Sequence, residues 1–198
     1  LSLLQERFPE YAGLFVLDAD GEPAAASAGA PARPELPPAW LDPLRAGETR
    51  LGEPYWHETL ATVAVTAAVP VMSANGRFLG LLLATLTFEP LRESLEGLAP
   101  GDEGRIDVLS PEDRVIAGSR PVSALERTVS PDALERLEAS PGLVEYRGED
   151  GTDMVGILTP AQPAGWSVLA RVPSEEAYAP VARLTRSTTL LVAALLLL

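Results

Sequence analysis

One strand–turn–strand pattern occurs twice in this chain of 198 residues. Residues 16–27 (VLDADGEPAAAS) align without a gap on residues 108–119 (VLSPEDRVIAGS). In each copy a short apolar run, a polar turn and a second short run follow one another, which is the pattern of a β-hairpin. The repeat constrains the fold, because two copies of one hairpin predict two similar sheets.

Each copy is followed by a longer hairpin and then by an acidic helix start. Residues 63–71 and 78–87 flank an Asn-Gly pair, which is a strong hairpin signal. Their counterparts are residues 154–158 and 166–172. A proline with acidic neighbours, which favours the first helical turn, follows each hairpin. The recurring order of parts favours duplication, although chance similarity between antiparallel hairpins remains the alternative.

Antiparallel hairpins interrupted by short helices predict an α+β fold with two tandem modules, each an antiparallel sheet with flanking helices. A Pro-Gly pair at residues 100–101 indicates the boundary, so we predict modules at residues 1–99 and 100–182. Within the second module, residues 126–138 are predicted to form a charged helix with a packed apolar face.

Composition excludes several classes of function. A net charge of −13 argues against nucleic acid and anionic membrane surfaces as partners, because both would repel the chain. The absence of cysteine excludes disulfides and thiolate catalysis, and a single histidine excludes a multi-histidine metal site. Polar catalytic residue types are also scarce and unclustered. We therefore predict no catalytic residue, no metal and no cofactor in this chain.

The last twelve residues (STTLLVAALLLL) carry no charge. A helix that crosses a bilayer needs about 20 apolar residues, and this run reaches the end of the sequence before that length. We predict that residues 183–198 are the start of a C-terminal transmembrane helix, with a C-terminal helix docked on the protein as the alternative.

Taken together, these segments resemble the double Cache sensor domains of bacterial transmembrane receptors. The resemblance covers nearly the whole chain and is clearest at residues 15–21, 66–71, 75–81 and 165–169. It implies that the end of a long N-terminal helix leads into two PAS-like modules, and that a final helix returns to the membrane. Residues 1–99 would be the membrane-distal module and residues 100–182 the membrane-proximal one.

The resemblance also implies a function. A small ligand would bind in the distal module, between its sheet and a lid of helix and loop, and would bias two states of a cytoplasmic output domain. We expect a sensor histidine kinase, with a chemoreceptor or a diguanylate cyclase as alternatives. The region would be periplasmic or extracellular, attached to the membrane by its C-terminal helix, and a homodimer through its N-terminal helix.

An alternative of another class is a secreted or anchored domain that mediates protein contacts and has no ligand pocket. The sequence upstream of Leu1 would separate the two hypotheses, since a spanning apolar helix there supports the receptor.

Candidate ligand residues come from a search for polar groups among aromatic walls, which small-molecule pockets require. Residues 55–59 concentrate such groups, and one tryptophan lies upstream of them. The predicted ligand residues are Trp40, Tyr55, His57, Thr66 and Thr85. Ordinary core packing is the alternative for Trp40 and Tyr55, and a surface position or a histidine with its hydrogen bonds satisfied is the alternative for His57.

The resemblance implies roles for two of these residues. Tyr55 matches a tyrosine on the third strand of the resembling domains, and Thr85 stands where those domains often carry an aspartate. A threonine cannot supply the carboxylate that pairs with an ammonium group. We therefore expect a ligand other than an amino acid or an amine.

Overall fold

A computed structural model describes residues 1, 3, 7–8, 10–30, 35–148, 150–162 and 164–179. These residues form two compact units. The first contains residues 1–93 and 121–125, and the second contains residues 94–120 and those from 126 onward. Each unit has one antiparallel sheet with helices, which confirms the predicted α+β class with tandem PAS-like modules. The predicted limits at residues 99, 100 and 182, and the distal and proximal assignments, stay predictions.

The first unit is built on a six-stranded sheet. Its strands are β1 (Tyr11–Asp18), β2 (Pro23–Ala26), β3 (Arg50–Leu51), β4 (Tyr55–His57), β5 (Thr62–Met72) and β6 (Phe78–Thr87). The strand order is β2–β1–β6–β5–β3, and β4 also pairs with β5. A 3₁₀ turn (Pro38–Trp40) leads into α1 (Leu41–Arg45), and α2 (Glu89–Glu96) follows β6. Leu44 of α1 is fully buried against the sheet, in a core with Phe15, Leu17, Ala68, Leu81 and Leu83.

The second unit has a five-stranded sheet. Its strands are β7 (Arg105–Leu109), β8 (Val115–Gly118), β9 (Val144–Arg147), β10 (Asp153–Ala161) and β11 (Trp166–Pro173). The strand order is β8–β7–β11–β10–β9, which repeats the order of the first sheet. One helix, α3 (Pro131–Ala139), precedes β9, and residues 174–179 are helical after β11.

Helix α3 begins later than the helix predicted over residues 126–138. Its N-cap is Ser130, whose side chain accepts a hydrogen bond from the Ala133 N–H at 3.4 Å. Pro131 then occupies the first helical turn, where its missing N–H costs nothing. Residues 126–129 are therefore extended loop and not helix.

The hairpins β1–β2 and β7–β8 are equivalent residue by residue. Val16 pairs with Ala25 and Val108 pairs with Ala117, and in both hairpins the register shifts at the next residue. In the first hairpin the Leu14 N–H donates to Ser27 Oγ at 3.1 Å. The same bond recurs 92 positions later, from the Ile106 N–H to Ser119 Oγ at 3.0 Å. A shared bulge and a shared serine bond favour duplication over chance similarity.

The long hairpins are equivalent as well. Leu83 on β6 and Leu169 on β11 hold the same place in the pairing and are both fully buried. Pro70 on β5 and Pro160 on β10 also correspond, and each lies beyond the last residue that pairs with the neighbouring short strand. A proline is tolerated there because one edge of the strand is unpaired. For this reason β10 extends to Ala161, past the predicted end at residue 158.

Two predicted membrane elements lie wholly or largely outside the described residues. The predicted C-terminal transmembrane segment, residues 183–198, lies outside them, and so does most of the predicted N-terminal helix. Among the helices of the described part of the chain, none combines the length and apolarity that a membrane span requires.

The serine bonds give a direct test of equivalence. We expect Ser27→Ala and Ser119→Ala each to lower the free energy of unfolding by about 1–3 kcal/mol, because each leaves a buried N–H without its acceptor. Urea unfolding followed by circular dichroism measures the loss. Ser123→Ala, at an exposed serine, is the control. Losses at Ser27 and Ser119 no larger than this control would contradict the shared role.

Candidate functional site

Three of the predicted ligand residues share one face of the first sheet. Thr66 on β5 directly opposes Thr85 on β6. Tyr55 on β4 pairs with Ala64, two residues before Thr66, so alternation of side chains puts Tyr55 on the same face. The Tyr55 hydroxyl lies 3.3 Å from Thr66 Oγ1, and the two groups share a hydrogen bond.

Thr85 is the unusual member of this group. Its side chain is fully buried, and its hydroxyl has no hydrogen-bond partner among the described residues. A buried hydroxyl without a partner costs about 1–3 kcal/mol, so such groups are rare in folded proteins. Thr85 therefore offers an unused donor and acceptor beside the Tyr55–Thr66 pair.

Trp40 lies next to the same strand, although it also packs against the core. A Cβ atom placed on Gly52 would lie 3.2 Å from Trp40 Cη2 and 3.3 Å from the Thr66 carbonyl oxygen. Glycine at position 52 thus allows the indole to approach the backbone of β5. Trp40 is also packed against the apolar core under α1. Its position therefore fits both the predicted ligand role and the core-packing alternative.

His57 is engaged locally at the end of β4. Its Nδ1 accepts a hydrogen bond from the Leu60 N–H at 3.4 Å, within the turn that leads to β5. Its ring centroid lies 6.0 Å from that of Tyr55. The turn contact satisfies Nδ1 of His57, and the ligand role of His57 stays a prediction.

The second sheet carries a different set of residues at the equivalent positions. Strand pairing makes Arg171 the counterpart of Thr85 and Gly156 the counterpart of Thr66, because Gly156 directly opposes Arg171. Tyr146 on β9 pairs with Met154 and is the counterpart of Tyr55. At these equivalent positions the inward face of the first sheet is therefore uncharged, whereas that of the second sheet carries a charge.

Arg171 forms a buried ion pair with Asp107. Its Nη2 donates to Asp107 Oδ2 at 2.6 Å, and both side chains are about 95% buried. Its Nη1 donates to the Thr128 carbonyl oxygen at 2.8 Å, whereas its Nε has no partner in the described part of the chain. Burial raises the pKa of the nearby Tyr146 hydroxyl, and the positive charge of Arg171 opposes that shift.

This face of the second sheet borders a cavity of about 520 Å³, a volume typical of small-molecule sites. The cavity is lined by Glu103, Arg105, Arg120, Glu126, Arg127, Thr128, Gly148, Asp150, Thr152, Met154, Arg171 and Pro173. Sequence reasoning missed these residues. The available signal was charge inside two otherwise apolar strands, Arg105 and Asp107 in β7 and Arg171 in β11.

The chemistry of these residues suits binding more than proton transfer. Arginine side chains stay protonated in proteins and act only as hydrogen-bond donors. Within the described ranges, no group of three or more histidine, aspartate or glutamate side chains is placed to hold a metal ion.

Among known proteins, similarity to this chain is found in solved structures and not in family models or curated sequences. No family model matches the sequence, and no curated protein matches it. The extracellular domain named rpHK1S-Z16, from a protein described as a histidine kinase, matches with a TM-score of 0.67 at 19% identity, covering 88% of this chain and 76% of that one. The sensor domain of the Vibrio cholerae histidine kinase DctB matches with a TM-score of 0.61 at 16% identity, covering 88% and 76%.

A chemoreceptor domain matches as well. It is the ligand-binding domain of the Pseudomonas aeruginosa amino acid chemoreceptor PctC in complex with GABA, with a TM-score of 0.59 at 20% identity, covering 83% of this chain and 75% of that one. This chain has the fold of the extracellular sensor domains. The resemblance to double Cache domains is thereby confirmed at the level of the fold.

The buried ion pair gives a second prediction. We expect Asp107→Asn to lower the free energy of unfolding by about 3–5 kcal/mol, because it leaves the Arg171 charge buried without its partner. The double substitution Asp107→Leu with Arg171→Met should restore most of that loss, since it removes both charges together.

Urea unfolding measures these effects, and Asp153→Asn is the control. Asp153 lies 3.8 Å from Arg147 in an exposed pair, so its loss should stay below about 1 kcal/mol. If Asp107→Asn cost no more than Asp153→Asn, the pair would have no structural importance.

Proposed function

We propose that this chain is the ligand-sensing region of a bacterial membrane receptor and lies outside the cytoplasm. The observation that carries the proposal is the fold of the whole two-module chain, which it shares with sensor domains of histidine kinases and chemoreceptors. A sensor histidine kinase is the output we favour, with a chemoreceptor or a diguanylate cyclase as alternatives. Catalysis would belong to that output domain and not to this chain.

The ligand site that we propose lies on the inward face of the first unit, at Tyr55, Thr66 and Thr85. Thr85 supports it because its buried hydroxyl has no described partner that a ligand would have to displace. The Tyr55–Thr66 hydrogen bond is long at 3.3 Å, so exchanging it for bonds to a ligand costs little. Trp40 would form an apolar wall, and His57 would lie at the edge.

The chemistry of this site limits the ligand. Its three hydroxyl groups donate and accept hydrogen bonds but carry no charge at neutral pH. An ammonium group buried here would lack a carboxylate partner, and burying such a charge unpaired is costly. We therefore propose a small ligand whose contacts at this face are neutral, such as hydroxyl, carbonyl or amide groups.

Signal transfer would run through the second unit to the helix after β11. That helix begins at residue 174, directly after the strand that carries Arg171. Within it, the Glu176 carboxylate accepts hydrogen bonds from the backbone N–H groups of Asp102 at 2.5 Å and Glu103 at 3.1 Å. The helix start is thus tied to the beginning of its own unit. A ligand with different affinities for two arrangements would bias this helix toward one of them.

We further propose that the segment after residue 182 enters the membrane and that two chains pair through the N-terminal helix. The uncharged C-terminal run supports membrane attachment. The proposal of pairing rests on the resemblance to double Cache receptors.

One observation favours the protein-contact alternative. At the tip of the β5–β6 hairpin, Val69, Val71, Met72 and Leu79 are each between 37% and 42% exposed. Exposed apolar side chains that cluster on a surface often mark a protein interface.

A metabolite screen tests the sensing proposal. We expect small neutral metabolites with hydroxyl, carbonyl or amide groups to include some that raise the melting temperature of this chain, with dissociation constants then measured by calorimetry. For such a ligand, Thr85→Val and Tyr55→Phe should each weaken binding by roughly tenfold, since each removes one hydrogen-bonding hydroxyl. Trp40→Ala should weaken it as well.

Tyr146→Phe is the matched control, because it makes the same change at the equivalent position of the second unit. It should leave the dissociation constant unchanged. Failure to find any ligand in a broad screen would count against sensing. Neutral ligands that bind equally well to the Thr85, Tyr55 and Trp40 variants would show that the site assignment is wrong.

A further inference from the structure

Two arginines face each other across strands of the second sheet. Arg105 on β7 directly opposes Arg171 on β11. Like charges at directly opposed positions destabilise a sheet. Asp107 pairs with Arg171 at 2.6 Å, so that one carboxylate is already committed. The Arg105 guanidinium makes no hydrogen bond to a described residue, and the charge pair is left with an excess of positive charge.

The surroundings of Arg105 strengthen this imbalance. Partial burial and the positive charges of Arg171 and Arg120 lower the pKa of Arg105, and Asp107 and Asp150 only partly offset them. A solvated surface arginine would be expected to extend away from like charges. Arg105 instead lines the cavity together with the arginines that repel it.

The other two arginines of the cavity retain free donors. Arg120 donates one bond from Nη2 to the Glu103 carbonyl oxygen at 3.1 Å. Arg127 donates one from Nη2 to the Glu112 carbonyl oxygen at 3.4 Å, and the same nitrogen lies 4.0 Å from Asp113 Oδ2. Since a guanidinium has five N–H donors, each keeps several for another partner. Arg171 adds a buried Nε that has no partner among the described residues.

We propose that this cavity binds a small carboxylate, at a second site that is separate from the one proposed in the first unit. The planar fork of a guanidinium matches the two oxygens of a carboxylate, and Arg105 is the uncommitted fork at the cavity floor. The carboxylate would neutralise the opposed Arg105–Arg171 pair and accept the free donors around it.

The acidic residues of the lining limit the negative charge that a bound ligand can carry. Glu103, Glu126 and Asp150 line the cavity beside its four arginines, of which Arg171 is already paired with Asp107 and Arg127 lies 4.0 Å from Asp113. A singly charged carboxylate on the Arg105 fork is repelled less by these acidic groups than a doubly charged phosphate would be. The same carboxylates accept hydrogen bonds, so a hydroxyl group elsewhere on the ligand would be stabilised.

Calorimetry on the full chain tests the site with acetate, lactate, succinate and inorganic phosphate, at an ionic strength held constant with sodium chloride. We expect saturable binding of acetate or lactate, tighter than that of phosphate. Arg105→Gln should weaken it by roughly 10- to 100-fold, because it removes the uncommitted fork. Arg105 is the better target than Arg171, because it holds no described hydrogen bond and its replacement should leave the fold intact.

Arg136→Gln is the matched control, since it removes the same charge from an exposed position on α3, outside the cavity lining. It should leave binding unchanged. Thr85→Val should also leave it unchanged, so that success here does not depend on the proposed site of the first unit. The inference is overturned if no carboxylate binds saturably, if phosphate binds most tightly, or if binding depends on Thr85 and not on Arg105.

Discussion

Strand register decides which side chains face the interior of each unit. Successive residues of a strand point to opposite faces, so a shift of one residue would move the whole inward set to the other side. In both sheets the first strand of the unit pairs with the last, and the same bulge adjusts the hairpin at Val16 and at Val108. This shared register makes Thr85 and Arg171 equivalent, and the proposed sites follow from it.

The two units place different side chains at the equivalent inward positions. In the first, Phe15 lies in the apolar core beneath α1, and Thr85 is the nearby polar exception. In the second, Asp107 replaces Phe15 in the equivalent position and pairs with Arg171. A buried ion pair is weak evidence for stability, because desolvation offsets most of the attraction. The ion pair does, however, hold Arg171 at the lining of the cavity.

The sequence was sufficient to predict the fold, and the ligand residues predicted in the first unit stay predictions. Hairpin signals such as Asn75-Gly76 are local, so both long hairpins are predicted, although β10 runs to Ala161 and past its predicted end. The start of α3 was misplaced, because its charged approach resembles a helix until Ser130 caps it. The cavity could not be predicted, since Asp107 and Arg171 lie 64 positions apart and only strand pairing brings them together.

The central claim, one register in both sheets, can be measured by engineered disulfides, because the chain has no cysteine. Cysteine pairs at Val69 with Leu82, and at Thr159 with Val168, occupy equivalent opposed positions. Both pairs should oxidise readily, because opposed strand residues lie within disulfide range. Pairs shifted by one residue, Val69 with Leu83 and Thr159 with Leu169, should not. Efficient oxidation of a shifted pair in either unit would contradict the shared register.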